Sequence, residues 1–141
     1  MKYFLDTSVL VPVFVDDHPH HEASLAVFSR TDKKHASCGA HSLAEVYATL
    51  TRLPGKHRAS ASEAMLFLEN MKTRLAFVSL DGEEYWRAIM HSAESGIEGG
   101  TIYDALLAHC ALKAKAETIY TWNVDHFRRV GPEVAKRVRT P

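Results

Sequence analysis

The stretch YFLDTSVL, Tyr3 to Leu10, runs apolar and aromatic residues straight into one carboxylate, two hydroxyls and then more aliphatics. A short apolar run closed by small polar residues reads as a strand buried on both faces, of the kind found in parallel sheets covered by helices. Asp6 then stands at the carboxyl end of that strand. In open α/β sheets this edge carries the ligand crevice, because the loops leaving it diverge and helix N-termini point back toward it. Asp also starts turns and caps helices, so its meaning depends on whether other acids reach the same edge.

Working outward, HASCGA, LAFVSL and TIYTWN read as three further short strands and KRVRT as an edge strand. Helical periods separate them. HEASLAVF turns Leu25 and Phe28 inward, and HSLAEVYATLTRL repeats Leu43, Val46, Tyr47, Leu50 and Leu53 until Pro54-Gly55 ends it. SASEAMLFLENM carries a stripe through Ala61, Ala64, Met65 and Leu68, and DGEEYWRAIMHSAES one through Tyr85, Trp86, Ile89, Met90 and Ala93. TIYDALLAHCALKAKA is apolar almost all round, which predicts a buried helix. DHFRRV predicts a short one. Strands alternating with helical crossovers imply a parallel sheet whose strand ends share one edge.

The chain has 141 residues, 46% of them hydrophobic, which suits one domain over residues 1–141 with a real core. Its longest apolar run, VLVPVFV from Val9 to Val15, falls far short of the roughly 20 residues of a membrane span and holds Pro12. No signal-peptide pattern is present, so a cytoplasmic protein without a membrane partner is expected. Cys38 and Cys110 lack CxxC spacing and read as small core residues in a reducing compartment. The formal charge is zero but uneven: residues 81 to 104 hold six acids and one Arg, and residues 105 to 141 hold seven bases and three acids. An acidic segment beside a basic one suits a site that holds cations and handles a polyanion, and equally an ordinary mixed surface.

Three acids fall beside the inferred edge. Asp6 closes the first strand, Glu45 is expected in the first turn of the helix after the second strand, and Asp104 in the first turn of the buried helix. The fourth strand ends in TWNVDHF, which offers Asn123 and Asp125. Ser42 to Glu45 and Thr101 to Asp104 also match the capping-box pattern, as do Ser60 to Glu63 and Asp81 to Glu84. The last two are read as caps outright. For Glu45, cap and ligand readings both stand, although it lies about 140° around its helix from the apolar stripe. Asp104 precedes ALLAHCAL, in which His109 is the one polar side chain. A carboxylate there loses hydration worth several kcal/mol, and like charges nearby add to that cost. A divalent cation relieves it, and hard oxygen ligands select Mg²⁺ or Mn²⁺, whose chemistry is that of phosphates. Hydrolysis of a phosphodiester by a metal-activated water follows.

With FLDTSVL, SLAEVYATLTRL, TIYDALLAHCA and IYTWNVDHF in order, the chain resembles the PIN-domain ribonucleases, and within them the VapC-like toxins of type II toxin-antitoxin pairs. The resemblance covers nearly the whole chain. It implies a three-layer α/β/α fold with a central parallel sheet of four to five strands, and Mg²⁺- or Mn²⁺-dependent cleavage of RNA. It also implies restraint by a cognate antitoxin, VapB-like, and a homodimer. By position, Asp6, Glu45 and Asp104 become the metal-binding acids, and the fourth catalytic position falls on Asn123, where the family often has Asp. Asn contributes no charge, so Asp125 is the alternative fourth ligand if the loop turns it inward; its other role is to cap the helix at His126. Thr7, Ser8 and Thr121 are implied donors beside the acids.

Lys113, Lys115, Arg128 and Arg129 are candidates for tracking RNA phosphates, against a reading as plain surface bases. Trp122 is read as packing in preference to base stacking. His18, His20 and His21 lack the helical spacing of a transition-metal site. Two rival readings remain. A phospho-acceptor receiver module would use Asp81 but wants paired acids after the first strand, and a PIN-like fold that binds RNA or a protein without cutting is consistent with Asn123.

Overall fold

The computed structural model describes residues 1–141. Five strands, β1 (Tyr3–Leu5), β2 (Ala36–Gly39), β3 (Ala76–Val78), β4 (Thr118–Tyr120) and β5 (Val138–Arg139), form one sheet in the order β3-β2-β1-β4-β5. Every pairing is parallel. Eight helices connect them: α1 (Thr7–Val13), α2 (His21–Ser29), α3 (Ala40–Thr51), α4 (Ala61–Arg74), α5 (Gly82–Glu94), α6 (Thr101–Lys113), α7 (Val124–Arg128) and α8 (Pro132–Ala135).

The strands are short because each needs only to cross a core that is apolar on both sides. Adjacent residues of β1 point opposite ways, as a period of two requires: Leu5 joins one apolar cluster and Phe4 the other. The first cluster takes Val9, Leu10, Val27, Phe28, Val46, Leu50 and Met71, from α1 to α4. The second takes Ala105, Leu107, Ala108 and Ala111 of α6 with Phe127 and Val134 from α7 and α8. These are the three layers the sequence implied. Because the chain builds outward from β1 on one side and then returns to pair β4 on its other side, the strand order reverses between β1 and β4. Their carboxyl ends are the switch point at which such sheets bind ligands.

Three helices differ from expectation in the face they bury. In α2 the buried set is Ser24, Val27 and Phe28, and Leu25 is 38% exposed; Ser24 is drawn inward by a bond from Trp122 Nε1 at 3.0 Å. In α4 the stripe runs through Ala64, Phe67, Leu68 and Met71, so Met65 and Ala61 face out. In α5 the narrow face of Ala88 and Ser92 is buried, and the large apolar residues are outside: Trp86 is 69% exposed and Met90 49%. Small residues let α5 lie close to its neighbours, which an amphipathic period alone does not distinguish from a buried stripe. No helix is long and apolar enough to cross a membrane. Burial pushes the Cys38 thiol up to about 12 and Cys110 up to about 11, so both are neutral core residues.

Candidate active site

Asp6 is fully buried at the end of β1, its N–H donating to Tyr120 O at 3.0 Å. It is the N-cap of α1, accepting from Ser8 N at 3.3 Å. The same Oδ2 also accepts from Ser8 Oγ at 2.7 Å and Thr121 Oγ1 at 2.8 Å. The two hydroxyls lie 3.3 Å from each other. Ser8 Oγ accepts from Trp122 N at 2.9 Å and Thr121 Oγ1 from Asn123 N at 2.9 Å, which leaves their protons for the carboxylate. Oδ1 is buried and has no partner at all. Burial pushes the Asp6 carboxyl up to about 6, against the pull of the Ser8 and Thr121 bonds, and the charge of Asp104 raises it further.

Glu45 is in the second turn of α3, not the first, because α3 begins at Ala40 directly after β2 with no loop between them. Ser42 is therefore not a cap. It is buried and accepts from Thr7 Oγ1 at 2.8 Å, and the same hydroxyl is placed to donate to Glu45 Oε1 at 3.0 Å, so the two share its one proton. Likewise Gly100, not Thr101, is the cap residue of α6. Asp104 is left free of a capping role, and its Oδ2 accepts from His126 Nδ1 at 2.7 Å. Ser60 with Glu63 and Asp81 with Glu84 do form complete capping boxes. Asp81 is thereby committed to Glu84 N at 2.8 Å on an exposed turn, which removes the basis of the receiver reading.

Asp104 thus stands near enough to Asp6 to raise its proton affinity, and Glu45 bonds to Thr7, the residue after Asp6, but no three His, Cys, Asp or Glu side chains close into an ion cage. In donor chemistry the site fits a hard divalent cation: all three acids offer oxygen, and Asp6 Oδ1 is an orphaned acceptor facing no protein donor. Asn123 is exposed at the N-cap of α7, its side chain making no capping bond. Because α7 starts at Val124, Asp125 lies exposed inside its first turn and does not cap a helix at His126. Neither side chain bonds to the three acids.

The basic candidates separate. Lys113 lies at the far end of α6 from Asp104, donating to Glu84 Oε1 at 2.6 Å and Ser79 O at 2.8 Å. It is not beside the acids. Lys115 follows Lys113 off that same end of α6, before β4, and is not beside the acids either; Arg128 and Arg129 are exposed, and Arg129 Nη2 donates to Gly96 O at 3.4 Å. Trp122 packs as expected, stacking on His20 with ring centroids 3.7 Å apart. His18 Nδ1 accepts from His20 N, and His21 Nδ1 meets Pro12 O, so the histidine cluster serves the α1–α2 turn. His109 faces His91, away from the acids, and burial lowers its pKa. His126 is the site residue that sequence reasoning missed; 22 positions separate it from Asp104 and no periodic signal relates them.

Comparison with known proteins agrees with this fold. Ribonuclease VapC27 of Mycobacterium tuberculosis is 39% identical over 114 residues, covering 80% of this chain and 79% of that protein. Among solved structures, M. tuberculosis VapC20, described as a sarcin-ricin loop cleaving toxin, superposes with a TM-score of 0.72 at 14% identity over 89% of this chain and 92% of its own. A toxin-antitoxin complex from Klebsiella pneumoniae gives 0.67 at 14% identity over 99% and 97%. At such identities the two structures speak for the fold. The model of the PIN domain matches residues 3–132, and the chain belongs to the PIN-domain family, among its VapC-like members.

Proposed function

We propose that this chain is an endoribonuclease toxin that hydrolyses RNA phosphodiester bonds with Mg²⁺ or Mn²⁺ and is restrained by a cognate antitoxin. The observation that carries this reading is the Asp6 carboxylate, buried at the switch point of the sheet with Oδ1 unpartnered and Asp104 close enough to repel it. Asp6, Glu45 and Asp104 are the residues to hold the ion. When bound, a divalent cation supplies positive charge for the phosphodiester and makes water acidic enough to attack it. Ser8 and Thr121 keep Asp6 Oδ2 turned inward, and Thr7 does the same for Glu45 Oε1. Asn123, exposed beside them, offers a neutral amide to substrate or water.

Arg128 and Arg129, at the end of α7, are the bases left to meet RNA phosphates, with affinity falling as salt rises. The homodimer rests on family membership, and the outer face of α5, where Trp86, Ile89 and Met90 are exposed, is the surface offered to a second copy. The antitoxin reading rests on family membership, and the cytoplasm is the compartment that holds such an RNA substrate. A second reading, binding without cutting, draws on the uncharged Asn123 and on the open arrangement of the acids.

The two readings part in one assay. Purified protein with Mg²⁺ or Mn²⁺ is expected to cut RNA internally, to stop on addition of EDTA, and to lose at least about a hundredfold in rate on Asp104→Asn with its melting curve intact. Full activity in that variant, or cleavage indifferent to EDTA, removes the reading; RNA binding that needs no metal and leads to no cleavage establishes the alternative.

A further inference from the structure

Each of the three acids is held in the same way. Asp6 is gripped through Oδ2 by Ser8 and Thr121, Glu45 through Oε1 by Thr7, and Asp104 through Oδ2 by His126, in each case at 2.7 to 3.0 Å from a side-chain donor. No hydrogen bond reaches the other oxygen of any of them; for Asp6 that oxygen is also buried. A carboxylate bonded through one oxygen has its rotamer fixed and presents the second outward, which is how outer partners orient the ligands of an ion. Three of these donors, Thr7, Ser8 and Thr121, stand next to the acids in the family-like motifs. The fourth comes from a helix whose motif lacks the expected acid.

His126 is well placed to do this. Its neighbour Phe127 is fully buried and locks α7 into the apolar cluster that also holds α6. The imidazole itself is half exposed, so burial does not explain its position; the bond to Asp104, whose side chain is 18% exposed, does. Nδ1 carries the proton it donates, and at 2.7 Å the bond lies in the charge-assisted range. Asn123 and Asp125, the residues at which the fourth motif was expected to act, leave Asp104 to this ring.

We propose that His126 is the positioning residue of Asp104, fixing Oδ2 through Nδ1–H so that Oδ1 is presented to a divalent cation. The inference rests on the metal-dependent reading above. Its test is Mn²⁺ titrated into RNA-free protein, followed by calorimetry or by loss of the free-Mn²⁺ resonance signal. His126→Ala, and His126→Leu, which keeps bulk without a donor, are expected to weaken Mn²⁺ binding roughly 10- to 100-fold with melting curves close to wild type. His126→Asn, whose amide N–H stands near the place of Nδ1–H, is expected to recover most of that loss. Wild-type affinity in both His126→Ala and His126→Leu overturns the proposal, and so does an Asn variant as weak as they are. Wild-type protein that takes up no Mn²⁺ removes the metal reading itself and this inference with it.

Discussion

Asp6 carries a carboxyl that the fold makes costly to ionise. Its affinity for a proton is pushed up from 3.8 to about 6, chiefly by burial. The folded chain therefore holds that proton more tightly than the unfolded one. The stabilisation from this residue is complete below pH 3.8 and is lost as pH rises through about 6, amounting to about 3 kcal/mol across the window. His109, lowered by burial, acts in the opposite direction, so the informative comparison is between variants at each pH. Metal-free Asp6→Asn is expected to melt several degrees above wild type near pH 7.5, with the gap closing toward pH 4.5. Scanning calorimetry checks this; a gap independent of pH would show that Asp6 is not the group concerned. In the sequence Asp6 and Asp104 stood out as carboxylates against apolar runs, and Glu45 by its expected place at the start of the helix after the second strand. His126 did not, since its partner is decided by how α7 docks, a tertiary event with no local pattern.

At the scale of elements, α6 lies close against the carboxyl end of β2. A Cβ on Gly39 would stand 2.4 Å from Leu107 Cδ2, and Leu107 is 1% exposed in the second cluster with little room to yield. Gly39→Ala is expected to destabilise the protein by about 1 to 3 kcal/mol in urea unfolding. It should also weaken the site, because α3, which carries Glu45, starts at the next residue. An unchanged midpoint would mean that α6 gives way at no cost. The two true capping boxes were readable from spacing alone because nothing else competes for Ser60 or Asp81. The same pattern at Ser42 and Thr101, not read as caps outright, does not form boxes, since α3 and α6 begin one or more residues earlier than a cap there would require. Helical period located the stripes of α2 and α4 approximately, but buried Ser24 and the Ala64–Met71 ridge rotated the inward face away from Leu25 and Met65.

For the whole molecule, alternation of strands and helices made the parallel sheet legible, but the position of β1 between β2 and β4 was not stated by the chain order. The outer face of α5 belongs to this scale too, because its large apolar residues contribute to no core cluster. Trp86→Lys is expected to convert a dimer into a monomer in sedimentation equilibrium, with unfolding stability of the monomer changed by less than about 0.5 kcal/mol. A wild-type chain that is monomeric at all concentrations would sink the dimer, and an equally dimeric variant would move the seat elsewhere.

The pairing of β1 with β4 has a consequence for synthesis. The first acid is made at position 6, yet Thr121, which holds it, and His126, which holds Asp104, come from the last quarter of the chain. A polypeptide still emerging from the ribosome has its leading carboxylate and Ser8 beside it, but neither Thr121 nor His126 until those residues clear the exit tunnel. The site is therefore completed only after the segment carrying Thr121 and His126 has been made, although Thr7 and Glu45 can meet long before it.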